Sequence, residues 1–185
     1  GRLDPSNGGY RWFDVPVIGP SAPHTLVTDT TGGLWMTLLG GGGEGAARLD
    51  SKTNQWIIYK GFEAGFSAHD FAVNHDNQIQ FDHNDMSWMT IVNLNKLVGF
   101  KADGSHVESY DLPMEPGDNP LHVGVYGAIM SPDNNVWFSQ HGGILGRFNT
   151  TTKTVDTEIP FPVGTGLHRM SIDQNGILYL GLQGA

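Results

Sequence analysis

Apolar residues in this chain come in short runs, each broken by a polar turn, and the pattern recurs. His24–Trp35 reads HTLVTDTTGGLW, His69–Gln80 reads HDFAVNHDNQIQ, Tyr126–Trp137 reads YGAIMSPDNNVW and His168–Tyr179 reads HRMSIDQNGILY. Each has an apolar run, a turn of Asp, Asn or Gly, and a second run, which predicts a β-hairpin. A second strand–turn–strand piece also recurs: GRLDPSNGGYRWFDVP from Gly1, ARLDSKTNQWIIYKGF from Ala47, GFKADGSHVESYDLP from Gly99 and GRFNTTTKTVDTEIPFP from Gly146. The full unit is thus four strands, a to d. Hairpins begin at residues 24, 69, 126 and 168, so 45, 57 and 42 residues separate them.

Four short strands at this period predict an all-β propeller of four-stranded antiparallel blades. A single such sheet cannot bury both faces, and stacking sheets around an axis buries them against one another. Residues 1–19 read as strands c and d of one blade and 20–63 as a blade. Residues 64–120 read as a blade with insertions, 121–163 as a blade, and 164–185 as strands a and b of another. Trp35, Phe81, Trp137 and Tyr179 fall at or beside one strand-b position and are expected to pack between blades. The 57-residue unit has room for two insertions, one between strands b and c around Asp82–Asn95 and one around Pro113–Val123. The half-blade offset of the ends fits a closed four-bladed ring or, as we expect, part of a six- or seven-bladed one.

Composition narrows the functional classes. A formal charge of −9 disfavours nucleic acid. Cys is absent, so disulfides and thiolate metal sites are excluded. No apolar run is long enough to span a bilayer, so no membrane partner is expected. The first residues carry no secretory or transit pattern, and Gly1 in place of Met suggests a processed product or a piece. Asn149-Thr150-Thr151 is a glycosylation sequon, compatible with secretion of a soluble protein. Gly40–Gly43 is followed by no Gly-Lys-Ser/Thr and is not a phosphate loop.

Several segments resemble the repeat of the streptogramin (virginiamycin B) lyases. They are Pro23-His24, Leu34-Trp35-Met36-Thr37, Ala47-Arg48-Leu49-Asp50, and Val136-Trp137-Phe138-Ser139 with Leu145-Gly146-Arg147-Phe148. Gly166-Leu167-His168 and Gly1-Arg2-Leu3-Asp4 add weaker matches. The resemblance implies a seven-bladed, Mg²⁺-dependent lyase that opens a cyclic depsipeptide lactone by elimination, using His and Glu near the axis. The family's Glu would fall at Leu38, His83, Gln140 or Leu182, and none of these is acidic.

Rotational equivalence brings the first residues of the a strands together: His24, His69, Tyr126 and His168. They are the candidate catalytic residues, and the three imidazoles are candidate metal ligands with Asp82 and His83. His83, Gln140 and His141 form a second expected ring near Asp82 and Asp85, assigned with Trp88 to substrate contact. A divalent metal is expected, Mg²⁺ by resemblance, while Ca²⁺ would use the oxygens and a transition metal the imidazoles. His75 and His106 read as solvated turn residues, and His122 lies in the second insertion. His69 and Asp70 are neighbours on a strand, so they are expected to point to opposite faces. The leading reading is a lyase acting on a small organic molecule in an axial pocket. A protein- or glycan-binding propeller is the alternative, as is another propeller metalloenzyme, a lactone hydrolase or a His-ligated oxygenase.

Overall fold

The computed structural model describes residues 1–17, 19, 21–40, 42–114, 118–162 and 164–184. Strands β1 (Arg2–Leu3) and β2 (Tyr10–Arg11) make a two-stranded hairpin. Three four-stranded sheets follow. The first holds β3 (Ala22–Thr28), β4 (Leu34–Leu39), β5 (Glu44–Leu49) and β6 (Trp56–Lys60). The second holds β7 (Ala68–Phe71), β8 (Met86–Ile91), β9 (Lys96–Lys101) and β10 (Val107–Asp111). A short helix, α1 (Pro120–Val123), leads to β11 (Val125–Met130), β12 (Val136–Gln140), β13 (Ile144–Asn149) and β14 (Thr154–Pro160). β15 (Gly166–Ile172) and β16 (Leu178–Gln183) close the chain as a hairpin. Every sheet is an antiparallel meander in chain order, the blade architecture that the repeat predicts. The first strands β3, β7, β11 and β15 approach one another and line the common axis.

The repeat is built around a tryptophan and its cap. Asp29 accepts from the Trp35 indole Nε1 at 2.9 Å and from Arg48 Nε at 2.8 Å. Asp82 repeats this, accepting from Trp88 Nε1 at 3.0 Å and from the backbone N–H groups of Asn84 and Met86. Each indole then packs on the last strand of its own sheet and the third strand of the next. Trp35 stacks on Tyr59 at 5.0 Å and meets Phe100 at 6.1 Å, while Trp88 meets Tyr110 at 6.0 Å and Phe148 at 5.0 Å. Gly99 pairs with Trp88 across the sheet, and a Cβ there would lie 2.9 Å from the indole. Rings of this size bury roughly 150–250 Å² each, which makes them the main adhesive between blades.

This cap corrects the sequence reading of the second blade. Its second strand is Met86–Ile91, not the run ending at Gln80, and its strand-b aromatic is Trp88 rather than Phe81. Residues Asn74–Gln78 form an extra turn, closed by bonds from Asn77 N to Asn74 O and from Asn74 N to Gln78 O. The first insertion therefore lies between strands a and b, and the b–c connection is a tight turn with Asn95 at φ 51°. The Asp82 cap decides the matter, because it sets the turn that β8 must follow. The second insertion carries α1, whose Asn119 cap accepts from Leu121 N; residues 115–117 of that insertion lie outside the described residues. The sequon residue Asn149 heads the β13–β14 turn, where its side chain accepts from Thr151 N and donates to Asp156. Among the described residues, no helix is long and apolar enough to cross a membrane.

A β-bulge recurs at the start of every axial strand. Residues 24–25, 69–70, 126–127 and 168–169 each oppose a single residue of the second strand: Thr37, Thr90, Ser139 and Gly181. The three hydroxyls at these places perform the same task. Thr37 Oγ1 accepts from Thr25 N at 3.0 Å and donates to His69 O at 2.8 Å. Thr90 Oγ1 accepts from Asp70 N at 3.1 Å and donates to Tyr126 O at 2.8 Å. Ser139 Oγ accepts from Gly127 N at 3.1 Å and donates to His168 O. Each hydroxyl thus satisfies the orphan N–H of its own bulge and a carbonyl of the next blade.

Thr90→Val, nearly isosteric, leaves the buried Asp70 N–H unpaired and takes one donor from the Tyr126 carbonyl. We expect a loss of about 1–3 kcal/mol in urea denaturation, with Thr90→Ser close to the parent protein. Equal stability of the valine variant would show that the bulges do not depend on the hydroxyl.

Candidate functional site

The bulges turn both of their residues toward the axis together, a re-aiming that bulges commonly serve beside functional sites. The four expected side chains meet as one line. Ring centroids lie 4.2 Å apart for His24 and His69, 4.1 Å for His69 and Tyr126, and 3.9 Å for Tyr126 and His168. His141 joins from the end of β12, stacked on Tyr126 at 4.4 Å and on His168 at 5.4 Å. Beside it lies a cavity of about 400 Å³ lined by His122, Val123, His141, Gly142 and Thr165.

The second residues of the bulges make a polar layer that the sequence reading missed. Asp70 is buried, and its Oδ1 accepts from Thr25 Oγ1 at 2.6 Å and from Arg169 Nη2 at 3.1 Å. Arg169 Nη2 also donates to Thr25 Oγ1 at 3.2 Å. Its path runs beside Gly127, where a Cβ would come within 3.3 Å of Arg169 Cα and 3.1 Å of His168 O. The expectation that His69 and Asp70 diverge is overturned: His69 Nδ1 lies 3.5 Å from Asp70 Oδ1, because the bulge suspends strand alternation. That separation makes a Coulombic contact without a hydrogen bond, and His69 Nδ1 is buried without a partner.

Burial sets the electrostatics. Desolvation pushes the His69 imidazole from 6.5 down to about 4, against the attraction of Asp70. Burial also lowers His141, with repulsion from His168 adding to it. Burial raises the Tyr126 phenol, which stays protonated and able to donate.

His24, His69 and Asp70 each offer a ligand atom, and these lie within 4.8 Å of one another. This donor set does not fit Mg²⁺, which takes oxygen ligands in an octahedron. The carboxylate oxygen facing the imidazoles already accepts from Thr25 and from a guanidinium, which supplies the positive charge there.

The remaining expected residues separate. Trp88 is fully buried between blades and presents no surface to a substrate. Asp82, a proposed metal ligand, is committed to capping β8, and its carboxylate serves Met86, Asn84 and Trp88. His83 sits in that same turn, at the end of the sheet opposite His69, with Asn84 and Thr151 as neighbours. The expected second ring is therefore split, with His141 at the axial line and His83 away from it. Gln140 is buried, donating to Asn95 Oδ1 at 2.9 Å and Pro113 O at 2.8 Å, so it holds the second insertion in place. With the second blade re-registered, Ile91 replaces His83 at the position after the strand-b hydroxyl. Leu38, Ile91, Gln140 and Leu182 all lack acidity.

The architecture is that of a β-propeller with an imidazole- and phenol-lined axial face. Among propellers it is streptogramin-lyase-like in fold. Virginiamycin B lyase from Staphylococcus aureus superposes with a TM-score of 0.76 at 21% identity, over 100% of this chain and 56% of that one. A catalytically inactive variant of that lyase with quinupristin gives 0.68 at 18% identity, over 95% and 60%. The extracellular domain of a one-component system protein from B. thetaiotaomicron gives 0.62 at 16%, over 93% and 21%. The chain thus spans little more than half the length of the lyase. Comparison with protein-family models gives no match, and comparison with curated proteins gives none.

The low value for His69 has a consequence for stability. The unfolded chain takes up this proton near pH 6.5, and the folded chain only near pH 4. The contribution is complete above pH 6.5 and is lost as pH falls toward 4. Denaturation midpoints of the parent protein should drop faster across that window than those of His69→Gln. Parallel profiles would mean that His69 titrates as it does in the unfolded chain.

Proposed function

We propose that the axial face is the active site of a lyase that abstracts a proton next to a carbonyl and expels an oxygen leaving group. The observation that carries this reading is the contiguous line His24–His69–Tyr126–His168. The base takes the Cα proton of a cyclic ester, the electrons form a carbon–carbon double bond to Cβ, and the Cβ–O bond breaks, releasing a carboxylate. His69 is a poor base, since its low pKa costs proton-transfer driving force. His24, which is exposed, and His168, which is half-buried, remain. The Tyr126 hydroxyl donates to the oxyanion that develops on the carbonyl. The fold shared with virginiamycin B lyase supports a depsipeptide lactone as substrate class.

A second reading, a binding propeller without chemistry, is favoured by the four non-acidic residues at Leu38, Ile91, Gln140 and Leu182. Liquid chromatography with mass spectrometry after incubation with quinupristin separates the readings, because the ring-opened isomer and the intact ligand share a mass but differ in retention. Elimination opens the ring with no change in mass, hydrolysis adds one water, and a binding protein retains the ligand intact. The lyase reading expects an unchanged mass with a new double bond, and a loss on the order of 10²-fold or more in both His24→Ala and His168→Ala. Unaltered turnover in both variants, or intact ligand with the parent protein, would sink it.

A further inference from the structure

We infer that Asp70, acting through the Thr25 hydroxyl, fixes the tautomer of His24 and so makes its Nε2 the free base of the axial face. The inference rests on the lyase reading for its catalytic consequence, but the hydrogen-bond geometry stands independently. His24 Nδ1 lies 3.1 Å from Thr25 Oγ1, and Thr25 Oγ1 lies 2.6 Å from Asp70 Oδ1. A threonine hydroxyl has one proton to give and two lone pairs to receive with. The Asp70 carboxylate, paired with Arg169, only accepts, so the Thr25 proton goes to it. Arg169 Nη2 takes one of the Thr25 lone pairs at 3.2 Å. The other is left for His24, whose Nδ1 must therefore be the protonated nitrogen. Nε2 then carries the lone pair, on an exposed side chain at the mouth of the axial face.

The Thr25 hydroxyl proton and the His24 ring proton are thereby assigned. Asp70 is the acceptor at its buried end, and Arg169 supplies the charge that keeps it one. When Nε2 takes a substrate proton, the imidazolium keeps its Nδ1–H bond to Thr25, and the carboxylate behind Thr25 stabilises the new charge. Asp70 and Thr25 are positioning residues, since neither touches substrate. Burial and the hydrogen bond from the Asp70 N–H to Thr90 Oγ1 keep Asp70 in place.

Histidine tautomers are read directly in long-range ¹H–¹⁵N correlation spectra of the full chain, recorded where His24 is neutral. The parent protein and Thr25→Ser should show His24 protonated at Nδ1. Thr25→Val removes the hydroxyl while keeping the backbone bond to Thr37, and should shift His24 to the Nε2–H form that free histidine prefers. With quinupristin as substrate, kcat should fall on the order of 10²-fold in Thr25→Val, and recover in Thr25→Ser with KM little changed. An Nε2–H tautomer in the parent protein, or an unchanged tautomer in Thr25→Val, overturns the inference whether or not the protein turns over the lactone. A swapped tautomer with unchanged kcat overturns the catalytic role alone. Absence of turnover in the parent protein, with the tautomers as expected, refutes the lyase reading and leaves the relay intact.

Discussion

A single hydroxyl per blade, placed opposite a bulge, is the constraint on which this axial face depends. Thr37, Thr90 and Ser139 each tie a bulge N–H of one sheet to the carbonyl of the following sheet's axial residue. The inter-blade core is greasy and therefore indifferent to small slips. Directional bonds are not, and they set the height at which one blade meets the next. The close approach of the ring side chains follows from that alignment, since His69, Tyr126 and His168 are the residues whose carbonyls are held.

The two layers at the axis differ in character. The outer one is aromatic, four rings in near contact, with His141 stacked across two of them. The inner one is ionic, with a buried carboxylate matched by a guanidinium that reaches it from another blade. His69, a buried member of the aromatic layer, would have to carry a charge out of reach of solvent, which is why it resists protonation. The same inner charge pair puts a guanidinium where a hard dication would have to place its charge.

Much of this was legible in the residues. The recurring hairpins announced four-stranded blades, and the repeated first position of strand a located the axial line. Two things were not. The second blade carries an extra turn at Asn74–Gln78 whose apolar flanks imitate a strand pair. The true marker was the capped indole: an aspartate six residues before a tryptophan, present at Asp29 and Trp35 and again at Asp82 and Trp88. The bulge was equally hidden, because period-2 reasoning assigns His69 and Asp70 to opposite faces. A signal existed in the aligned Thr37, Thr90 and Ser139, which lie among apolar strand-b neighbours. A buried hydroxyl among strand residues points to an unpaired backbone group nearby, and a bulge supplies one.

The directionality of the hydroxyl bonds bears on how the axial face would meet a ligand. Ser139 grips the carbonyl of His168 while holding the N–H of Gly127, and Thr90 does the same for Tyr126 and Asp70. The backbones of neighbouring axial strands are thus joined through one hydroxyl each. Gly181, which has no hydroxyl to offer, ends the series. A ligand at this face would therefore meet side chains that stand on one backbone frame crossing from blade to blade.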